Sequence, residues 1–169
     1  MACLTIIQGY SFFIEYWYKY EDSIYLIVLE RLEWDRAKQY CSDKEATLVD
    51  VDSRKESDYI NSQVRLAGNE RGRFWISAEY IWLDDTFVSS NGSNQIFFNW
   101  DHNEPNFHAN EYCVEVRLDR DGAWNDVPCK YKKSFVCEKR KGMYIFRFHA
   151  FTYSSKFPRS YFRRTVESL

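Results

Sequence analysis

The chain has 169 residues with 23 basic and 25 acidic side chains, a formal net charge of −2, which is one domain's length with room for one core and little for a second. No apolar run approaches the ~18 residues of a membrane span, and a nearly balanced charge carries no signature of a nucleic-acid partner. The balance is uneven, since seven of the basic residues but only one acidic residue lie from Arg140 onward, a local net of +6 against −8 for residues 1–139; an acidic body disfavours polyanions and suits a cation.

Residues 1–16 read as an N-terminal extension. Met1 to Tyr20 has no basic leader and no continuous apolar stretch, so it makes a poor signal peptide, and an incomplete or mispredicted start is expected. Trp17 to Val28 is rich in aromatic and β-branched residues and predicts one or two strands. Trp34, Ala37 and Cys41 recur at helical spacing and mark a first helix. Ser53 with Glu56 three residues on forms a capping box for a second, whose apolar face is Tyr59, Ile60 and Val64 and whose stop is Gly68. Strands are predicted at 73–78, 96–100, 112–118, 123–127 and 134–139, with a long aperiodic loop over 79–95 that is expected to be functional or anchored. Asn91-Gly92-Ser93 in that loop is an N-glycosylation sequon. Residues 140–169 interleave aromatic and basic side chains without a helical stripe and are expected to be a disordered tail. Two helices with short antiparallel strands give an α+β pattern.

The chemistry concentrates between Glu104 and Asp126. Glu104-Pro105-Asn106, Glu111 and Asn125-Asp126 supply five oxygen-bearing side chains, punctuated by Cys113 and Cys129. Ca²⁺ takes roughly 6–8 oxygen ligands, and a mixture of carboxylates and amide carbonyls leaves it charge and positions for neutral oxygens such as sugar hydroxyls. An X-Pro bond adopts cis at modest cost, which lets the side chains flanking Pro105 point to one side. His102, His108 and His149 have no Ser or Cys nucleophile motif around them, so an enzyme is not expected. Five cysteines in a chain this size fit a disulfide framework with one left over, which implies an oxidising, extracellular setting.

Trp34-Asp35-Arg36-Ala37 before Cys41, Phe74-Trp75-Ile76, Asn99-Trp100, Glu104-Pro105-Asn106, Glu111-Tyr112-Cys113, Trp124-Asn125-Asp126, Cys129 and Phe135-Val136-Cys137-Glu138 stand in an order and spacing that resembles a C-type lectin domain of the mannose-type subgroup, similar to domains of mannose-receptor-like proteins, over residues 17–139. The resemblance implies bridges Cys41–Cys137 and Cys113–Cys129, with Cys3 the odd one. Closing the shorter of these loops is worth ~3 kcal/mol in the chain-entropy model. Ser23-Ile24-Tyr25 occupies the place of an additional N-terminal cysteine pair, so the short form of the domain is expected.

The same resemblance assigns Ca²⁺ to Glu104, Asn106, Glu111, Asn125 and Asp126, with Glu104, Asn106, Glu111 and Asn125 also meeting the sugar and His108 and Val127 as secondary sugar contacts. Glu-then-Asn around Pro105 implies equatorial 3- and 4-hydroxyls, as in mannose, N-acetylglucosamine and fucose-type ligands on glycoproteins or microbial surfaces. The pattern departs from relatives at Glu79, Leu83 and Tyr112, where an auxiliary calcium site is expected to be lost, and in the segment between Asn106 and Glu111, one residue shorter than in familiar mannose binders. The alternative reading is a lectin-like domain that recognises a protein partner without sugar.

Overall fold

A computed structural model describes residues 15–81, 83–89, 97–108 and 110–141, together with the backbone of 5–7 and 10–12. Cys3, the Asn91 sequon and residues 142–169 lie outside that set. Within the expected extension, β1 (Thr5–Ile7) and β2 (Tyr10–Phe12) pair antiparallel, an element the sequence did not announce. The aromatic stretch after it becomes two strands, β3 (Trp17–Tyr20) and the ten-residue β4 (Ser23–Leu32), joined at Glu21-Asp22.

α1 (Trp34–Asp43) buries Trp34, Ala37 and Cys41, the stripe read from its spacing. Its first turn is fastened from outside, since Trp34 N donates to Cys129 O at 3.0 Å and Trp34 Nε1 donates to Ile76 O at 2.9 Å. β5 (Thr47–Leu48) follows. α2 (Arg54–Leu66) has Ser53 as its cap, with Glu56 N donating to Ser53 Oγ at 3.2 Å. The reciprocal bond of the box is displaced by one residue: Glu56 Oε2 accepts from Asp52 N at 2.8 Å, and Oε1 accepts from Tyr25 Oη at 2.7 Å. Gly68 leaves the helix at φ +105°, a conformation that costs a side-chain-bearing residue and not glycine.

The remaining strands are β6 (Arg73–Ile81), β7 (Thr86–Val88), β8 (Glu111–Arg117), β9 (Ala123–Pro128) and β10 (Lys133–Arg140). They build one sheet in the order β3-β4-β10-β6-β8-β9, with β5 on β10 and β7 on β6. Most pairs are antiparallel, as expected, but β10 and β6 run parallel at Ser134–Phe74 and Phe135–Trp75. Two further expectations are corrected. β6 runs on to Ile81 and returns as β7, so part of the predicted loop is a hairpin. The predicted strand over 96–100 is not one: its described residues 97–99 carry no strand, and Trp100 makes only an isolated bridge to Trp124. Its described residues meet β9 through ring contacts with Trp124 and a single backbone hydrogen bond at Asn99 O, too few bonds to extend the sheet.

Both expected bridges are present, Cys41–Cys137 and Cys113–Cys129. The core divides into one cluster around Trp124, Phe74, Val114 and Val136 and another around Trp34, Trp75, Phe135 and the Cys41–Cys137 bridge.

A buried polar knot ties the N-terminal hairpin to the last strand. Glu138 accepts from Ser23 Oγ (2.6 Å), Asp50 N (3.1 Å) and Arg140 Nε (2.8 Å), and Arg140 reaches Asp52 at 2.5 Å. Asp50 also accepts the Ser77 hydroxyl. Burial, only partly offset by that hydroxyl and followed by the charge of Glu138, pushes the Asp50 carboxyl up from 3.8 to about 6. Since the folded protein holds this proton more tightly than the unfolded chain, Asp50 contributes stability that is present below about pH 4 and lost as pH rises through about 6, amounting to as much as ~3 kcal/mol. Asp50→Asn, which keeps the acceptor for Ser77, is therefore expected to flatten the stability profile between pH 4 and pH 7 in urea titrations run with EDTA. Parallel profiles for the two proteins would rule out the assignment.

Candidate functional site

The loop from Phe97 to Asn110 is laid against β9 by its backbone. Trp124 N donates to Asn99 O at 2.7 Å, and Asp101 N donates to Trp124 O at 2.8 Å. Trp124 is fully buried there, edge-on to Trp100 (5.8 Å, 84°) and Phe97 (5.7 Å, 85°). An indole in this position fixes the base of the loop through packing, which is how aromatic side chains serve a neighbouring site. Asp101 Oδ2 is tied to Arg117 at 3.1 Å, closing the loop's stem onto the end of β8.

Beyond the stem the Glu104–Pro105 bond is cis, and Asn103, Phe107 and Asn110 have positive φ of 64°, 52° and 70°. Asp126, two residues past Trp124 on the same face of β9, organises this turn. Its Oδ1 accepts from Asn106 N at 3.1 Å and its Oδ2 from Phe107 N at 2.9 Å. Asn106 Oδ1 in turn accepts from His108 N at 3.1 Å, and His108 O accepts from Glu111 N at 3.1 Å, where β8 begins.

Three carboxylates meet in this arrangement. Glu104 Oε2 and Glu111 Oε2 are both buried and have no hydrogen-bond partner. Burial raises the Glu104 carboxyl above the usual range, and a hydrogen bond with Asp126 and the charges of Asp126 and Glu111 push the same way. Burial likewise raises Glu111, followed by the charge of Asp126. Buried anionic oxygens without donors are costly unless a proton or a cation neutralises them. The donor set is all oxygen, which fits a hard divalent cation and not a thiophilic one. Among the described residues no group of three or more His, Cys, Asp or Glu side chains stands in a ready-made metal-holding arrangement; Asp126 is turned toward the loop's N–H groups, and the candidate set draws part of its oxygens from asparagine.

The sequence-predicted residues divide accordingly. Glu104, Asn106, Glu111 and Asp126 gather around the loop. Asn125 is tied to β8 instead, its Nδ2 donating to Glu115 Oε1 at 3.1 Å. His108 is exposed beside Asn106, and Val127, the other expected secondary sugar contact, is 5 % exposed and packs in the second core cluster. At the expected auxiliary positions Glu79 and Tyr112 are half-buried and Leu83 is 96 % exposed with no oxygen to offer. Two residues escaped the sequence reading. Phe107 projects half-exposed from the loop while its ring packs on Tyr80 at 5.0 Å, and Glu115 is fully buried behind Asn125. Only the side chain next to the motif hinted at the first, and nothing local hinted at the second.

The family model described as the Lectin C-type domain matches residues 30–139. Hepatic lectin of Gallus gallus is 34% identical over 131 residues, covering 73% of this chain and 58% of that protein. The versican core protein of Homo sapiens is 30% identical over 125 residues, covering 73% of this chain and 4% of that protein. The chain therefore spans a small fraction of versican and under two thirds of the hepatic lectin. Among solved structures, the carbohydrate-recognition domain of the mouse scavenger receptor C-type lectin superposes with a TM-score of 0.66 at 28% identity, covering 74% of this chain and 94% of that one.

Proposed function

The chain belongs to the C-type lectin domain family, and on that premise we propose that residues 17–139 bind mannose-type glycans (mannose, N-acetylglucosamine or fucose-type) with the help of Ca²⁺. The observation that carries this reading is the pair of buried carboxylate oxygens without donors, Glu104 Oε2 and Glu111 Oε2, at the two ends of a loop whose backbone Asp126 holds in place. Glu104, Asn106, Glu111, Asn125 and Asp126 are the residues that would hold the ion. When bound, it supplies open coordination positions for two vicinal hydroxyls of a sugar. The protein's own part is directional: each carboxylate accepts a hydroxyl proton, and each Asn amide donates to a hydroxyl oxygen. Glu104 before Pro105 and Asn106 after it set acceptor and donor in the order that suits equatorial 3- and 4-hydroxyls. His108, exposed beside Asn106, is proposed as a secondary contact with the same ligand.

The family's domains generally bind ligands instead of transforming them. The mouse scavenger receptor domain is by its name a carbohydrate-recognition domain, which supports a sugar as the ligand. Two disulfides suit an oxidising compartment, and the proposed setting is extracellular, with glycoprotein or microbial glycans as partners. Among the described residues no helix is long and apolar enough to cross a membrane. A second reading, a lectin-like domain engaging a protein without sugar, draws on one observation, that among the described residues no three or more His, Cys, Asp or Glu side chains are grouped to hold a metal.

A monosaccharide binding panel with and without EDTA separates the two. Mannose-type binding that EDTA removes is the expected result, and a protein partner held at full strength in EDTA, with no sugar bound, favours the second. Glu104→Gln combined with Asn106→Asp exchanges acceptor and donor around Pro105, so the mannose-to-galactose ratio is expected to fall by about ten-fold, the effect of redirecting roughly one hydrogen bond. A ratio that does not move would show that these two side chains do not read the diol.

A further inference from the structure

Glu115 sits in the middle of β8 with its side chain fully buried, where a carboxylate is tolerated only if charge and hydrogen bonds surround it. Three strands supply them. Arg73, at the start of β6, donates from Nη1 to Glu115 Oε1 at 3.0 Å. Lys133, at the start of β10 and itself buried, places Nζ 2.6 Å from Oε2, an ion pair whose angle falls short of a directed hydrogen bond. The Lys133 ammonium lies over the rings of Trp75 (5.0 Å) and Tyr131 (5.4 Å), which limits where it can go. The third partner is Asn125, directly across the β8–β9 ladder from Glu115, whose Nδ2 donates to Oε1 at 3.1 Å.

The geometry points to Glu115 as a positioning residue for Asn125: held between Arg73 and Lys133, its carboxylate takes the amide nitrogen and fixes the Asn125 carbonyl oxygen as the end presented to a cation. This inference rests on the calcium reading above. An amide can face a carboxylate only with its N–H, since two acceptors repel, so the negative charge determines which way the amide is turned. A charge-assisted bond is roughly twice as strong as a neutral one and resists rotation about the terminal torsion. The second N–H of the amide stays available, so the residue keeps one donor for a hydroxyl while its oxygen is reserved. Asn125 is half-exposed on an edge-side strand; the orientation of its amide comes from Glu115, and Glu115 is held by Arg73 and Lys133, neither of which belongs to the loop.

The test compares two substitutions in a background that removes the cation left unpaired. Lys133→Met replaces the ammonium by an apolar side chain suited to the Trp75 and Tyr131 rings. In that background Glu115→Gln keeps an acceptor at the same reach, and Glu115→Leu removes it. Calorimetric calcium titration is expected to show the Leu variant weaker than the Gln variant by at least about ten-fold, the size of loss that follows from removing an outer partner of a ligand, with equal melting temperatures in EDTA. Equal calcium affinities would overturn the proposal. A second measurement needs no variant: in the unsubstituted protein in EDTA, the two side-chain N–H protons of Asn125 are expected to be inequivalent, with one exchanging slowly. Rapid exchange of both would overturn the clamp. Absence of calcium binding by the unsubstituted protein would overturn the proposed function instead, and the Asn125 signals of that same apo protein still decide the clamp on their own.

Discussion

Asp126→Ala is expected to remove measurable calcium binding and to lower the stability of the calcium-free protein by about 1–3 kcal/mol. The two losses have different origins. Asp126 is almost fully buried, and its two oxygens accept from the consecutive N–H groups of Asn106 and Phe107. Alanine leaves both donors without partners in a segment whose backbone already holds Phe107 at φ +52°, a conformation uncommon for a bulky side chain. The loop is half-exposed, so water recovers part of the bonding and keeps the apo cost at the scale of one to two hydrogen bonds. Calcium binding suffers more. Removing Asp126 takes away a carboxylate that acts on both Glu104 and Glu111, and it also releases the loop that carries Glu104 and Asn106. Titration calorimetry on the variant, with urea unfolding in EDTA as the control for folding, reads the two effects apart. Calcium affinity within about three-fold of the parent would show that Asp126 is a scaffold for the loop and no part of an ion site.

How much of this was legible in the sequence depends on whether a contact is local. The cap of α2 was visible because Ser53 and Glu56 lie within one turn, and Ser53 does accept the Glu56 N–H. The return partner was not visible. Glu56 reaches Asp52 N and the Tyr25 hydroxyl, the latter 31 residues away, so the box is shared with β4. The stripe Trp34, Ala37, Cys41 was legible for the same local reason. The segment 96–100 misled because aromatic residues at strand spacing read as a strand, while in the fold its described residues supply rings to the core and, through Asn99 O, one backbone hydrogen bond to β9.

The candidate site divides along the same line. Residue types and spacing pointed to Glu104, Asn106, Glu111, Asn125 and Asp126, of which Glu104, Asn106, Glu111 and Asp126 gather at one loop while Asn125 bonds Glu115. What sequence could not carry is direction. That Asp126 faces backbone N–H groups follows from positive φ values in the loop, and that Asn125 faces Glu115 follows from the register of β8 on β9, set by the turn through Asp121 and Gly122. Asn125 stands across the ladder from Glu115 and Asp126 across from Val114, which is why the two, adjacent in the motif, have different partners. Nothing adjacent to Glu115 in Cys113-Val114-Glu115-Val116-Arg117 marks it for burial; its charge is met by Lys133 and Arg73, 18 and 42 residues away.

Deleting the two disulfides one at a time is expected to separate stability from binding. The Cys41–Cys137 bridge closes a span of 96 residues and lies wholly inside the second core cluster. Chain entropy for a loop of that size gives ~4–5 kcal/mol, a large share of the ~5–15 kcal/mol that holds a typical domain together. Cys113–Cys129 closes a span of 16 and is worth ~3 kcal/mol by the same reasoning. Location reverses the order for function. Cys113 follows Glu111 by two residues and Cys129 follows Asp126 by three, so the shorter bridge clamps the two strands that bear these carboxylates. Cys129 O also accepts the Trp34 N–H that fastens α1, so loosening this corner reaches the core as well. The pair Cys41→Ala with Cys137→Ala is therefore expected to cost more in urea unfolding while leaving calcium affinity of the folded protein near that of the parent. The pair Cys113→Ala with Cys129→Ala is expected to cost less stability but to weaken calcium binding by at least about ten-fold, as supports of a ligand shell do. Both titrations are read at a temperature where each variant remains folded. Equal calcium affinities in the two variants would mean that the ligand strands keep their spacing through the β8–β9 ladder alone, with the shorter bridge contributing stability and nothing to the ion site.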